Sequence, residues 1–578
     1  MSSPAELLAG LDPDQAVAAE ALRGPVCMLA GAGTGKTRAI THRIAYGVAT
    51  GTYTASRVMA LTFTSRAAAE LRGRLRGLGA EGVSARTFHA SALSQLNFFW
   101  PQVVGGQVPG LVESKGRVLG HAAERLKLRV DTATLRDVAA EIEWRKVSGL
   151  TLDQYAAAGR PAVQQLDMSQ LVDLQRTYEQ LKDERRRIDF EDVLLACAGM
   201  IEAEPSVAMQ VHEQYRFFVV DEYQDVSPLQ HRLLELWLGG RRDVCVVGDA
   251  SQTIYSFAGA KADYLLDFPN RYSDATVVRL ERNYRSSAPV VGAANALMRG
   301  RPGALQLSAV RSEVGAPGSI AAATDEPAVE LRSYPNELSE ARGVASLILD
   351  QIAAGVQPSE IAILYRINVQ AAALETALTE AGVSYVMHGS KRFFELPEVR
   401  QALLQLRAAS VSISGEPLFK SVSDVLRSLG WSQDPPEAGG AVRDRWESLN
   451  AIMGLVDQAA PDTTFRAFTD ELLIRQAAQH EPTVEAVTLA TLHSAKGLEW
   501  DAVHLIGLSE GYLPISYAKT FDQADEERRL LYVGITRSRS RLSLSWSESQ
   551  SRGGRRDPSR FLAEIGMRTA SAAGRRSA

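Results

Sequence analysis

A chain of 578 residues is longer than one hydrophobic core serves, so several domains are expected. Its 45% hydrophobic and 23% charged residues give the balance of an ordinary soluble globular protein, and no run of about eighteen apolar residues offers a membrane span. The three cysteines (Cys27, Cys197, Cys245) lie far apart and form no CxxC pair, so they support neither a disulfide framework nor a zinc site, and the net charge of −5 gives no global sign of a nucleic-acid partner.

The first residues, Met1 to Leu11, lack the basic-then-apolar build of a signal peptide, so a reducing cytoplasm is the expected setting. Short apolar runs followed by helical stretches then recur along the chain, the pattern of parallel α/β units. Strands are predicted at Val26–Ala30, Val58–Thr62, Phe217–Asp221 and Val244–Gly248, and a second set at Ile361–Tyr365, Val487–Leu492, Ala502–Leu508 and Leu542–Trp546. The stretch from Thr87 to about Met209 reads as helical, as does that from Leu396 to Gln479, so each α/β core carries a helical insertion. Pro302–Gly318 and Asp434–Gly440 read as loops or linkers. From Arg552 the chain carries seven arginines against two acids, and its end reads as a disordered basic tail or a weak nucleic-acid contact.

Directly after the first strand stands Ala30-Gly31-Ala32-Gly33-Thr34-Gly35-Lys36-Thr37, a P-loop in which Ala30 replaces the usual first glycine. Its glycines free the backbone to wrap a polyphosphate, and the N–H groups of the following helix face the anion. Lys36 would neutralise the β- and γ-phosphates, and Thr37 would ligate Mg²⁺. The run Phe217-Phe218-Val219-Val220-Asp221-Glu222 ends a buried strand on two acids, placing Asp221 by the metal and Glu222 by the attacking water.

These motifs, with Asp221-Glu222-Tyr223-Gln224-Asp225 and Val247-Gly248-Asp249-Ala250-Ser251-Gln252-Thr253-Ile254-Tyr255, resemble the UvrD/Rep/PcrA branch of superfamily 1 helicases. The resemblance runs in order from about Leu11 to Phe561 through some eight motifs. It implies an α/β fold of two recA-like P-loop NTPase domains, each with a mainly helical inserted subdomain. The implied boundaries are 1–89 and 210–283 for the first recA-like domain, with insertion 90–209. For the second they are 284–395 and 481–563, with a short insertion 396–480, and 564–578 is a disordered basic tail.

The implied activity is ATP-dependent 3′→5′ DNA helicase or translocase movement on single-stranded DNA, with ATP and Mg²⁺ as cofactors. Single strands, single-strand/duplex junctions and a repair or nuclease protein are the implied partners, with no membrane. The implied nucleotide contacts are Gln15 on adenine, Gly31, Ala32, Gly33, Thr34, Gly35, Lys36 and Thr37 around the phosphates, and Arg38 just beyond. Tyr284, from Glu281-Arg282-Asn283-Tyr284-Arg285-Ser286-Ser287, would stack on adenine. Glu499, from Thr491-Leu492-His493-Ser494-Ala495-Lys496-Gly497-Leu498-Glu499, would hold the ribose. Gln252 would sense the γ-phosphate, and Arg285 with Arg537 would stabilise the charge of the transition state. Single-strand binding needs aromatic platforms and polar groups, and the matched positions are Thr62-Phe63-Thr64, Thr87-Phe88-His89, Tyr255, Phe257 and His493. Phe63, Phe88 and Tyr255 are equally of a type that cores bury.

The sequence departs from the family at several points. Phe257 stands where a tryptophan is usual, Ala258 where an arginine is, and Ser65-Arg66 where Asn-Lys is common. The second insertion is short, which bears on unwinding more than on translocation. No zinc module, accessory C-terminal bundle or nuclease motif is evident, although some actinobacterial paralogues carry such appendages. Repair and replication-fork clearance suit the leading reading. The alternatives are a single-strand translocase or the motor subunit of a nuclease complex with little unwinding of its own; a non-motor nucleotide switch leaves the second core's arginines unexplained.

Overall fold

In the computed structural model, the described residues are 3–160, 163, 166–310, 328–389, 393–410, 415–434, 436, 441–457, 459–460, 462–477, 485–549 and 554–567. The basic end of the chain from Arg568, most of the linker after Val310 and of the loop after Asp434, and Lys391 with Arg392 lie outside them. The chain divides into two units, Met1–Tyr284 with Gly300–Leu307, and Arg285–Arg299 with Ser308–Ala578.

The first unit is built on six parallel strands: β1 Val26–Ala30, β2 Val58–Thr62, β3 Ser84–Thr87, β4 Phe217–Val220, β5 Val244–Gly248 and β6 Thr276–Leu280, in the order β3-β2-β4-β5-β1-β6. Alternation along the strands feeds two cores, one on each face. Val26, Met28, Val58, Ala60, Phe217, Val219, Cys245 and Val247 pack with Ala39, Ile40 and Ile44 of the helix Lys36–Ala49. Cys27, Met59, Leu61, Phe218, Val220, Val244 and Val246 pack on the opposite side against Phe88–Val103, Phe190–Ala203 and Pro228–Leu238. Among the described residues between β3 and β4 the regular structure is helical apart from a two-residue strand pair, and three of these helices, Lys115–Arg125, Thr132–Val147 and Met168–Glu184, share a core of their own. A buried ion cluster fastens that core to the sheet side. Lys146 and Lys182 both reach Asp189 (2.8 and 3.1 Å), and Asp189 caps the helix Phe190–Ala203. Burying such charges is tolerable only because every one is paired.

The second unit repeats the plan with β7 Val329–Tyr334, β8 Ile361–Tyr365, β9 Tyr385–His388, β10 Val487–Thr491, β11 Trp500–Leu505 and β12 Ser538–Ser547, all parallel, in the order β7-β12-β11-β8-β10-β9. Among the described residues between β9 and β10 the helices Pro397–Ala409, Leu418–Ser428, Ala441–Asp457 and Phe465–Ala477 pack around Val399, Leu406, Leu426, Trp431, Ile452 and Phe468. None of the described helices is long and apolar enough to cross a membrane.

Every strand predicted from sequence is present, with ends moved by a few residues. Ala502–Leu508 becomes Trp500–Leu505, and Leu542–Trp546 is the middle of Ser538–Ser547. Strands β3, β6, β7 and β9 were not predicted. The expected tail begins too early: Glu564 ends a helix and accepts Arg528 at 2.8 Å, so it is anchored to the second unit.

Candidate nucleotide site and nucleic-acid interface

The P-loop follows β1 and opens the helix Lys36–Ala49. Ala30 is the last strand residue, in register with Leu280, an extended position that any residue fills, so the missing glycine costs the turn nothing. Gly35 is different. It caps the helix at φ +77°, and a Cβ there would meet Gln15 Nε2 at 2.8 Å. The turn is braced from three sides. Thr34 Oγ1 donates to the Gly31 carbonyl (2.8 Å), Asn283 Nδ2 to Ala32 O (2.7 Å) and Gln15 Nε2 to Thr34 O (3.0 Å), while Tyr284 N–H donates to Gly33 O (2.9 Å). Gln15 in turn completes a capping box with Asp12, whose Oδ2 accepts the Tyr284 hydroxyl at 2.7 Å. Gln15, the P-loop and Tyr284 are therefore brought together. Asp12 and Asn283 are braces that the sequence reading missed. Arg38 is exposed on the same helix and donates to Gly10 O at 2.5 Å.

Lys36 Nζ lies 2.8 Å from Glu222 Oε1. Burial disfavours its charge, but Glu222 and then Asp221 outweigh that and raise the lysine above its ordinary value, so it is cationic throughout the neutral range. Asp221 follows the end of β4 and accepts the Glu222 N–H (2.9 Å); Thr37 is half-buried beside Lys36. The Thr37 hydroxyl and the Asp221 carboxylate are hard oxygen donors of the kind that would suit Mg²⁺. Glu222 itself has φ +52° and ψ 42°, a left-handed conformation that a non-glycine residue adopts only when its surroundings impose it. Beyond it, Gln252 Nε2 donates to Asp249 Oδ2 (2.8 Å) inside the loop that follows β5. Burial pushes the Asp249 carboxyl up against the opposing pull of Gln252 and Lys36.

In the second unit, Arg285, Arg537 and Glu499 form one cluster around Thr536. Arg285 Nε meets Glu499 at 2.5 Å and its Nη1 donates to Thr536 O (3.2 Å); Arg537 donates to Val533 O, Leu498 O and Thr536 Oγ1 at 3.0–3.2 Å. Glu499 also takes Arg539 at 3.1 Å. Burial raises its carboxyl, yet Arg285 and Arg539 outweigh burial and hold it below the usual carboxylate range. His493 is pushed down to about 3 by burial, then by Arg366 and Lys496. It is therefore a neutral hydrogen-bonding ring at neutral pH, not a cation.

Three aromatic side chains form a row on the first unit. Phe63 stacks on Tyr255 (centroids 5.4 Å, 13° between planes), and Tyr255 meets Phe257 edge-on at 6.1 Å; Phe257 is 65% exposed and Phe63 44%. Thr62 is buried at the end of β2, and Thr64 caps the next helix, so these hydroxyls fix the Phe63 turn. The Thr87-Phe88-His89 motif divides. Thr87 caps its helix and His89 is half-buried, but Phe88 is turned into the core, 3% exposed and stacked on Trp237 at 5.8 Å. The motif was expected to contact the strand's backbone, and the inclusion of Phe88 among its contacts is corrected: the ring is a core aromatic covered by protein, which leaves Thr87 and His89 as the candidates. Phe88→Ala should lower stability by about 3–5 kcal/mol, read as a fall in melting temperature, as for a core phenylalanine. An exposed ring that the sequence reading did not single out is Phe190. It is 56% exposed and edge-on to His89 (5.9 Å) at the start of the helix capped by Asp189. Its signal was an apolar residue directly after an acidic cap, where a helix is normally wet.

Two family models match this chain: the UvrD/REP helicase N-terminal domain over residues 11–273, and the UvrD-like helicase C-terminal domain over 278–431 and 444–549. The ATP-dependent DNA helicase UvrD2 of Mycobacterium tuberculosis is 48% identical over 586 aligned positions, covering 97% of this chain and 82% of the relative. DNA helicase II of Escherichia coli is 29% identical, covering 97% and 88%, and the ATP-dependent DNA helicase PcrA of Bacillus subtilis is 28% identical, covering 97% and 86%. With both models spanning most of its length over two parallel-sheet units, one of them carrying a braced P-loop, the chain belongs to the UvrD-like helicase family.

Proposed function

We propose that the chain couples ATP·Mg²⁺ hydrolysis to 3′→5′ movement along single-stranded DNA, opening duplex at junctions in repair or in clearing replication forks. The coarse activity follows from family membership: it is an ATP-hydrolysing DNA helicase. The observation that supports coupling of the nucleotide site to a strand is one loop. Residues 249–257 hold Asp249 and Gln252 by the nucleotide site, and Tyr255 and Phe257 in the aromatic row. A displacement at the phosphate end of so short a segment is felt at the base end.

In the proposed cycle Lys36 neutralises the β- and γ-phosphates. Thr37 and Asp221 would hold Mg²⁺, which would supply further charge neutralisation. Glu222 accepts a proton from water as its oxygen bonds to the γ-phosphorus and the bond to the β-phosphate oxygen breaks, giving ADP and phosphate. Gln252 senses the γ-phosphate, Arg285 and Arg537 stabilise the charge on the transferring group, Tyr284 and Gln15 address the adenine, and Glu499 the ribose. Phe63, Tyr255 and Phe257 offer stacking faces to successive bases, with His89 and His493 as polar contacts. Phe257→Ala should raise the DNA concentration that half-saturates ATPase stimulation by about tenfold, as loss of a base-stacking face costs. An equal fall in basal hydrolysis would count against the platform.

The polarity is tested on duplexes carrying a single-stranded tail on one side. Displacement from 3′-tailed and not 5′-tailed substrates supports the proposal, and the reverse preference overturns it. A second reading, a translocase with little unwinding of its own, is favoured by the compact insertion between β9 and β10. The alignment to the Escherichia coli relative spans 650 positions against 578 residues here, so that relative carries tens of residues more within the aligned region. Movement along a single strand without duplex displacement would select it.

A further inference from the structure

We infer that Gln224 is a positioning residue that ties the catalytic carboxylate of Glu222 to the DNA-contacting loop 249–257, so that the state of the strand sets the aim of the base. The inference rests on the proposed function and adds to it a residue for which the sequence offered no role.

Gln224 sits in the short turn Tyr223–Asp225 after β4, and its side chain is wholly buried. Its two amide atoms face different motifs. The Asp249 N–H, which can only donate, points at Oε1 (3.0 Å), so that atom is the carbonyl oxygen. The amide nitrogen is therefore the atom turned to Glu222 Oε2, at 2.5 Å, with a longer contact to Asp225 Oδ2 at 3.4 Å. The two oxygens of Glu222 are thus held from opposite directions, Oε1 by Lys36 and Oε2 by Gln224. The far end of the amide is fixed on the first residue of the loop whose later residues are Gln252, Tyr255 and Phe257.

The approach is enforced by packing. At Gly248, immediately before that loop, a Cβ would lie 2.4 Å from Gln224 Oε1 and 2.9 Å from Leu265 Cδ2, so only glycine lets strand end and amide meet. Glu222 is also held in a left-handed backbone conformation, and its carboxylate oxygens are met by Lys36 and Gln224. A loop shift that moves the Asp249 N–H pulls the amide, and the amide re-aims the carboxylate, without any change at the P-loop.

The test uses the full chain with Gln224→Met, which keeps length and volume and removes both hydrogen bonds. ATP turnover is measured with and without saturating oligo-dT, together with the KM for ATP and oligo-dT affinity by fluorescence anisotropy. The ratio of stimulated to basal turnover should fall about tenfold, the size expected for losing hydrogen bonds to a charged group. KM and oligo-dT affinity should stay within about twofold. Gly248→Ala, which presses on the amide from the loop side, should act in the same direction and serves if Gln224→Met does not fold. Equal loss of stimulated and basal turnover, or an unchanged ratio, would overturn the inference, because a merely structural glutamine scales both rates alike. A wild-type chain that ignores oligo-dT would instead remove the proposed function itself, so the two failures are distinguishable.

Discussion

Glu222→Gln lowers the turnover number for ATP by about 10²–10⁴-fold, the range for losing a general base, while single-strand affinity stays close to wild type. The substitution keeps the volume of the side chain and an oxygen for Lys36, which lies 2.8 Å away, but it cannot take up a proton from water. The new amide nitrogen also faces the Gln224 amide nitrogen across the 2.5 Å contact, so two donors meet where a donor and an acceptor stood. A modest fall in melting temperature accompanies the kinetic loss, as one charge-assisted hydrogen bond is forfeited. Stopped-flow phosphate release and a thermal melt on the same preparation separate the two effects. A variant that keeps more than a tenth of wild-type turnover would show that another group takes the proton.

Arg285→Ala costs a comparable factor by a different route. A guanidinium that meets the transferring phosphoryl group is worth about 10³-fold or more in turnover. Its loss should leave the fold in place, since Glu499 keeps Arg539 at 3.1 Å and the partly exposed pair contributes little to stability. Turnover should collapse while the affinity for a non-hydrolysable ATP analogue changes by no more than a few fold. Arg285→Lys should rescue little, because a point charge on a flexible stem does not reproduce the planar fork. Analogue affinity that falls in step with turnover would assign Arg285 to ground-state binding.

What the sequence made legible follows burial. The eight predicted strands are the inner strands of the two sheets, whose central members such as β2, β5 and β8 are buried along their whole length and read as unbroken apolar runs. The four that escaped notice, β3, β6, β7 and β9, are the sheet edges. Ser84–Thr87 is polar, Thr276–Leu280 buries only Val278 and Leu280, and Val329–Tyr334 alternates, so none has the continuous pattern of a buried strand. At the site, the P-loop was legible because its chemistry is local: Gly35, Lys36 and Thr37 act within one turn. Gln224 and Asp249 were not, because their contact joins residues 25 apart in sequence through a geometry that spacing does not encode. The aromatic motifs show the same limit. Phe63 and Phe88 both follow a β-strand threonine, yet one ring stacks outward on Tyr255 and the other inward on Trp237, and only the neighbours decide which.

The central claim is that hydrolysis at Lys36 and Glu222 answers to a strand lying on Phe63, Tyr255 and Phe257. Steady-state ATPase activity with and without single-stranded DNA tests it most directly, with Glu222→Gln run alongside. Turnover that rises at least about tenfold on adding the strand, and is lost in the variant, is the predicted result. Robust wild-type turnover that is indifferent to DNA would contradict the account.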